Sequence, residues 1–383
     1  MSQQSLDDKL IETSDAAETA APPADARATP KDIAITAASL LATFAVALIG
    51  GYIGKLLHFP LPWMTGALMM TAALGLAGVP VRSLLQLRAA GQFVTGAAVG
   101  TTFTPAILVT MLTLLPAILV GAVASIAIAV VGALILMRIV PSIDAKTAAL
   151  ATMPGGVIEM ANIAHRINAD PLPIMVLQTM RVGLTVCAAP FVVTALAEAG
   201  ARNVVTQGEP MSWLAMAALM AASSVGGFFL SRFKLPNAWF LGSLFVMAAL
   251  GALGLISGRV PEPILVVAQA IIGMSIGTQF KHEFLTRLFR LLLASLVTVP
   301  FALLMLALLA WLYSVILGLP VTTLVLALAP AGIAEMALTG KVLGLDAALI
   351  TGFQIVRIVT TMGLAAWTAR QLERWLARSH VSS

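Results

Sequence analysis

Apolar runs of about twenty residues or more recur along this chain, for example at 33–54, 106–137 and 291–317. Each run is long enough to cross a hydrocarbon layer of about 30 Å as a helix. Hydrophobic residues make up 60% of the 383 residues and charged residues only 10%, which is more apolar surface than the core of a soluble domain can bury. The pattern predicts an all-α polytopic membrane protein in contact with the lipid bilayer.

The chain contains an internal repeat with a fixed offset of 176 residues. Across 154–186, ten of thirty-three positions are identical to the positions one offset later, and several of them are polar residues that low-complexity apolar sequence does not duplicate by chance. The polar positions of the first copy are Glu159, Gln178, Arg181 and Thr185, and their mates are Glu335, Gln354, Arg357 and Thr361. We therefore divide the chain into a tail at 1–32, predicted to be disordered and cytoplasmic, a first membrane repeat at 33–200 and a second at 210–376.

The placement of lysine and arginine predicts how the two copies are oriented. Each copy has six apolar segments, a to f, and segment e (147–165 and 321–341) is the fifth. If segment e dips into the membrane and returns to its own side, 16 basic residues lie inside and four outside, whereas six full spans give 12 and eight. The positive-inside rule favours the first arrangement. It predicts two inverted repeats, each with about five spanning helices and one broken or re-entrant segment, with both termini in the cytoplasm.

Helix-breaking residues interrupt segment e in both copies. They are Pro154, Gly155 and Gly156 in the first copy, and Pro330 and Gly332 in the second, where Ala331 takes the position of Gly155. Proline removes a hydrogen bond from a helix, so a break at membrane depth is tolerated only beside protein or a water-filled cavity. The sequence therefore predicts two breaks buried within the protein, and Ala331 leaves open whether they are equivalent.

Two further motifs predict local structure. Asp170 and Asp346 directly precede segment f (171–197 and 346–369) and are predicted to cap its first turn. Segment c contains a Gly-x-x-x-Gly pair in each copy, formed by Gly96 and Gly100 in the first and by Gly273 and Gly277 in the second. Such pairs let helix backbones approach closely, so we expect tight helix contacts there.

The duplicated polar residues are the candidate site. The spacing of Gln178, Arg181 and Thr185 places their side chains on one face of segment f. An arginine at mid-membrane costs about 2.5–3.5 kcal/mol on insertion scales, so it is expected to face a partner or water. Glu159 lies five residues beyond Pro154, near the end of a half-helix. Two interpretations remain: a structural Glu–Arg ion pair that holds segment e against segment f, or a substrate or proton site between the copies, which we favour.

Several classes of function are disfavoured. The single cysteine, Cys187, excludes an intrachain disulfide, and the four histidines lie far apart, so no metal site, cofactor or catalytic group is predicted. The glycine-rich stretch at 50–55 has the wrong spacing for a nucleotide-binding loop. The isoelectric point near 9.7 reflects basic residues in short loops rather than a stripe with interleaved aromatics, so no nucleic-acid binding is expected.

The two blocks that start at Met153 and Ala329, together with the Gly-Thr-Thr-Phe and Gly-Thr-Gln-Phe ends of segment c, resemble the AbrB family of bacterial membrane proteins. The resemblance covers about 35–370 and implies a duplicated membrane domain in the bacterial inner membrane. Members of that family carry labels such as ammonia monooxygenase and regulator of gene expression. Neither label names a transported solute.

From these observations we expect a secondary transporter of a small solute, with an anion favoured and proton coupling suggested by the paired glutamates. The alternative is a membrane sensor or regulatory protein that affects gene expression without carrying any flux. A membrane oxidoreductase comes third and is disfavoured by the scattered histidines. A homo-oligomer stays open, because nothing in the sequence bears on it.

Overall fold

The computed structural model describes residues 30–197, 209, 211–233, 235–256, 258–286 and 288–381. Most of the tail predicted at 1–32 lies outside these residues. The chain divides into two compact units, Met1–Leu41 and Ala42–Ser383; the described residues of the first unit belong to helix α1. The fifteen helices within the described residues are α1 (Pro30–Leu56), α2 (Pro62–Leu76), α3 (Leu85–Gly100), α4 (Pro105–Ile139), α5 (Ala145–Thr152), α6 (Val157–Ile167), α7 (Pro171–Leu196), α8 (Trp213–Arg232), α9 (Ala238–Ala252), α10 (Glu262–Gly277), α11 (Glu283–Thr286), α12 (Phe289–Leu317), α13 (Val321–Leu328), α14 (Ile333–Val342) and α15 (Ala347–Val381).

Six of the described helices are long and apolar enough to cross a membrane, which confirms the all-α polytopic class. They are α1, α4, α7, α8, α12 and α15. Large apolar side chains remain exposed on their surfaces, such as Leu112 at 71% and Trp311 at 61%. Lipid tails cover such surfaces at no cost, so these faces are in contact with the bilayer.

The count of ten spanning helices predicted from the sequence is not reached on length. Segments b and c fold into the four helices α2, α3, α9 and α10, which have 15 or 16 residues each. At 1.5 Å per residue such a helix is about 23 Å long, which is less than the hydrocarbon thickness of about 30 Å. Hydropathy alone did not reveal the shortfall, because the flanking loops are also apolar.

These short helices pack in pairs that join the two halves of the chain. Helix α2 packs against α10, and α3 packs against α9. A Cβ atom on Gly96 would lie 2.2 Å from the carbonyl oxygen of Phe240, and one on Gly273 would lie 2.3 Å from that of Met64. Ser243 also donates a hydrogen bond of 2.8 Å to the Phe93 carbonyl. The close contacts predicted from the Gly-x-x-x-Gly pairs are confirmed, and both of them connect one half with the other.

The predicted helix caps are also present. The Asp170 carboxylate accepts a hydrogen bond from the Leu172 amide, and the Asp346 carboxylate accepts one from the Leu349 amide, both at 2.9 Å. The two caps fix the starts of α7 and α15, which are 176 residues apart. They thereby set the register at which these helices face the interrupted segment e.

Segment e lies at the centre of the fold. Helix α5 packs against α4, α7 and α15, and α13 packs against α12, α15 and α7. Leu150 in α5 and Leu326 in α13 are fully buried. An interrupted helix leaves backbone groups without partners, so it has to be enclosed by protein, and this position meets that requirement.

Candidate functional site

Both copies of segment e are broken where the sequence predicts. Helix α5 ends at Thr152 and α6 starts at Val157, while α13 ends at Leu328 and α14 starts at Ile333. Pro154 has no N–H group, so the carbonyl four residues earlier, that of Leu150, loses its helical partner. The Gln178 side-chain amide donates to this carbonyl at 2.8 Å and to the Met153 carbonyl at 2.9 Å. A side chain on α7 thus replaces the hydrogen bond that the proline removes.

The second break is held in the same way. Pro330 frees the Leu326 carbonyl, and the Gln354 side-chain amide donates to that carbonyl at 2.8 Å and to the Ala329 carbonyl at 3.1 Å. The replacement of Gly155 by Ala331 does not alter this arrangement. The two breaks therefore have equivalent partners on the following long helix.

The arginines of the repeated motif also bind the breaks. Arg181 donates to the carbonyls of Met153 and Gly155. Arg357 donates to the carbonyls of Leu328 and Ala331, each at 3.1 Å, as well as to that of Ala329. The carbonyl end of a helix carries partial negative charge, so a cation is favourable there. The one-face arrangement predicted for the motif is confirmed, and this face is directed at main-chain oxygens.

The predicted ion pair between Glu159 and Arg181 is not formed in the part of the chain that the structure describes. The sequence argument searched for a charged partner, whereas the break already supplies carbonyl acceptors. In the second copy, Glu335 forms an ion pair with Arg88 from α3, with 3.1 Å between Oε1 of Glu335 and a terminal guanidinium nitrogen of Arg88. The Glu335 side chain is 1% exposed and that of Arg88 is 27% exposed.

A cavity of about 210 Å³ lies between the two breaks. Its polar side chains come from Arg88, Gln92, Glu159 and Asn237. The main chain of both breaks completes the wall, through Gly155, Gly156, Ala331 and Gly332. These last residues stand at the starts of α6 and α14, so two helix N-termini border one cavity. The N-terminus of a helix carries partial positive charge and free N–H groups, which favours a bound anion.

Each of these N-termini also has its own carboxylate close by. Glu159 and Glu335 occupy the third position of α6 and α14. A Cβ atom on Gly156 would lie 1.9 Å from a carboxylate oxygen of Glu159, and one on Gly332 would lie 2.0 Å from a carboxylate oxygen of Glu335. Only glycine fits beneath these carboxylates, which explains why glycine occupies the equivalent position in both copies.

A neutral contact closes the cavity next to Arg88. The Gln92 side-chain amide donates to Oδ1 of Asn237 at 3.0 Å. Asn237 precedes α9 with a φ of 53°, a conformation that asparagine adopts more readily than most residues. The sequence analysis did not identify Arg88 or Asn237 as site residues, because Arg88 was counted as a loop cation and Asn237 has Leu61 as its mate in the first copy.

The other predicted residues lie deeper. Gln178, Arg181, Gln354 and Arg357 are buried and do not line the cavity. Thr185 and Thr361 are fully buried, and within the described residues their hydroxyls have no hydrogen-bond partner. The cavity therefore brings Glu159 together with both breaks, while the Gln and Arg side chains support those breaks from behind.

A second cavity, of about 400 Å³, lies at the loop between α4 and α5. Asp144 and Asp170 line it, but both carboxylates are engaged as helix caps, Asp144 with the Thr147 amide at 2.9 Å. Its acidic groups therefore have structural partners already, and we place the candidate site at the cavity between the breaks.

Six apolar helices of spanning length around two interrupted helices define a multi-pass membrane protein. A family model described as "Transition state regulatory protein AbrB" matches residues 63–373, and the chain belongs to the AbrB family. It is 26% identical over 344 residues to a protein of Bacillus subtilis (strain 168) named "Uncharacterized protein YhjN", an alignment that covers 84% of this chain and 89% of the relative. It is also 26% identical over 312 residues to "Putative regulator AbrB" of Escherichia coli (strain K12), covering 80% and 88%.

Proposed function

We propose that this protein is a secondary transporter that carries a small anionic solute through the cavity between the two helix breaks. The observation that carries the proposal is the convergence of two helix N-termini and the Arg88 guanidinium on that cavity. Each N-terminus offers free N–H groups, and the guanidinium offers a planar fork that suits a carboxylate. Broken helices that meet at a buried site are typical of secondary transporters, which is an analogy of architecture.

We propose further that the two halves form inverted repeats with both termini in the cytoplasm. The distribution of lysine and arginine favours this orientation. The starts of α5 and α13, and of α7 and α15, are each 176 residues apart, as the sequence repeat requires. In this arrangement one half can move against the other and expose the cavity to each side in turn.

The buried arginines have a supporting role in this proposal. The sequence suggested that Arg181 and Arg357 engage the solute, but their terminal nitrogens donate to break carbonyls. We assign them to holding the broken helices in place, so the N-termini of α6 and α14 stay directed at the cavity. The solute-binding guanidinium is then Arg88, which lines the cavity and is partly exposed.

Proton coupling completes the proposal. Two carboxylates, those of Glu159 and Glu335, stand beside a site that is otherwise suited to an anion. An anion close to an ionised carboxylate is repelled, so uptake of a proton by one of them favours binding of the anion. Transport is therefore expected to carry at least one proton with each solute anion.

A regulatory role without flux is the second candidate, and the name of the Escherichia coli relative is what favours it. Reconstitution separates the two. Small carboxylates that stabilise the purified protein against heat are loaded radiolabelled outside proteoliposomes, and an inward proton gradient is imposed. The transporter proposal expects uptake that stops with an uncoupler and with Arg88→Gln, while Arg370→Gln, an exposed arginine on α15, transports normally. Ligands that bind without uptake in any of these conditions would favour the regulatory candidate.

A further inference from the structure

Glu335 and Glu159 are mates in the sequence repeat, but their surroundings differ. Glu335 is paired with Arg88, whereas within the described residues Glu159 has no ion-pair partner. The repeat near segment c runs at an offset of 177, which places Leu265 opposite Arg88. The first copy's carboxylate therefore has no equivalent arginine, and the cavity contains one guanidinium for two glutamates.

The ion pair leaves one carboxylate oxygen of Glu335 unused. Oε1 faces Arg88 at 3.1 Å, while Oε2 is buried and has no hydrogen-bond partner among the described residues. A buried, unpartnered carboxylate oxygen is costly, and it is also the position at which a proton would reside. The Arg88 side chain remains 27% exposed and lines the cavity, so a solute can approach the guanidinium from the cavity side.

We infer that Glu335 acts as an internal substitute for the solute: its carboxylate occupies Arg88 when the cavity is empty, and an incoming carboxylate takes its place while Glu335 takes up one proton from solution. This inference rests on the proposed function and adds the ligand class, the binding residue and the proton acceptor. A single guanidinium in a small cavity does not hold two ionised carboxylates, because the two negative charges repel each other. The exchange is balanced in charge: one anion and one proton enter together.

Other charged groups near Glu335 do not offer the same exchange. On the helices that pack against α14, Arg88 is the charged residue of α3, Arg181 that of α7, and α13 has none. Arg181 and Arg357 donate to break carbonyls, and the remaining charges of α15 lie beyond residue 369. Lys341 lies six residues further along α14, and Glu159 approaches the cavity from α6. Arg88 is thus the cation that a solute and Glu335 can share.

Formate is a suitable probe, because it is the smallest carboxylate and stays ionised from about pH 5.5 to about pH 7.5. Its binding is measured as thermal stabilisation of the purified full-length protein, against chloride at equal ionic strength. In the wild type, the apparent affinity is expected to fall by up to about tenfold per pH unit, the limit for uptake of one proton. In Glu335→Gln, which resembles the protonated state, the affinity at neutral pH is expected to equal that at acidic pH.

Two Arg88 variants and one control complete the test. Arg88→Gln is expected to lose the formate effect, and Arg88→Lys, which keeps the charge and supports folding, is expected to bind weakly with the pH dependence retained. Glu373→Gln removes the carboxylate of the Lys146–Glu373 ion pair, which also measures 3.1 Å but lies outside the cavity, and is expected to match the wild type.

Three results would overturn the inference: an unchanged pH dependence in Glu335→Gln, full formate binding in both Arg88 variants, or no formate effect in the wild type at either pH. Flux measurements separate this outcome from failure of the transporter proposal. If formate binding behaves as expected but proteoliposomes show no uptake, the exchange at Arg88 stands and transport is refuted. If uptake occurs and Glu335→Gln leaves its pH dependence intact, transport stands and the exchange is refuted.

Discussion

Replacing Arg357 by methionine tests whether the repeated arginines hold the helix breaks. The Arg357 side chain donates to the carbonyls of Leu328 and Ala331 at 3.1 Å and is only 2% exposed as a residue. Methionine fills similar space but donates no hydrogen bond. Bonds to charged groups contribute about 1.5–3 kcal/mol each, whereas interhelical bonds in membrane proteins average about 0.6 kcal/mol. Loss of both bonds, offset in part by removal of a buried charge, is expected to cost about 2–4 kcal/mol.

The assay is equilibrium unfolding of the purified protein in mixed micelles, followed by helical circular dichroism. Arg370→Met is the matched control, because it makes the same change on the same helix at an exposed position. A surface substitution of this kind is expected to change the free energy of unfolding by less than about 0.5 kcal/mol. If Arg357→Met proves as mild as Arg370→Met, the arginine does not stabilise the break, and its assignment as a supporting residue is wrong.

Three further predictions follow from the same contacts. Gly332→Ala is expected to cost about 1–3 kcal/mol, because the new Cβ would lie 2.0 Å from a carboxylate oxygen, while Gly363→Ala, with no atom within 4 Å, is expected to be neutral in the same unfolding assay. In a double-mutant cycle, Glu159→Gln and Arg181→Gln are expected to have additive effects on stability, since they form no ion pair, and a coupling above about 0.5 kcal/mol would contradict this. In a cysteine-free background, cysteines at both termini are expected to be protected from an impermeant thiol reagent in whole cells and a cysteine in place of Arg202 to react, whereas the opposite pattern would refute the inverted orientation.

Much of the architecture could be predicted from short-range chemistry in the sequence. Apolar runs indicate membrane helices, a proline followed by glycine indicates a helix break, and an aspartate before such a run indicates a cap. Each of these signals depends on residues within a few positions of one another, as with Pro154 and Gly156 or Asp170 and Leu172. Periodicity and local hydrogen bonding decide such features, so they are visible without tertiary structure.

The polar pairing could not be predicted in the same way. Arg88 and Glu335 are 247 residues apart, and nothing in the sequence near either residue names the other. The partners of Arg181 were also missed, although a signal existed: a proline in a helix always frees a carbonyl four residues earlier. A motif with glutamine and arginine one offset away from two such prolines could therefore have been assigned to those carbonyls.

The pairing of short helices across the two halves has a consequence for synthesis in the cell. The Phe93 carbonyl in α3 accepts its hydrogen bond from Ser243, which is 150 residues later in the chain. At about 5–20 residues per second, the ribosome needs roughly 8–30 s to make that partner. During this interval α2 and α3 are already in the nascent chain while the helices that cover their glycines do not yet exist. The docking of these helices is therefore a late step of folding, which begins only after most of the chain has left the ribosome.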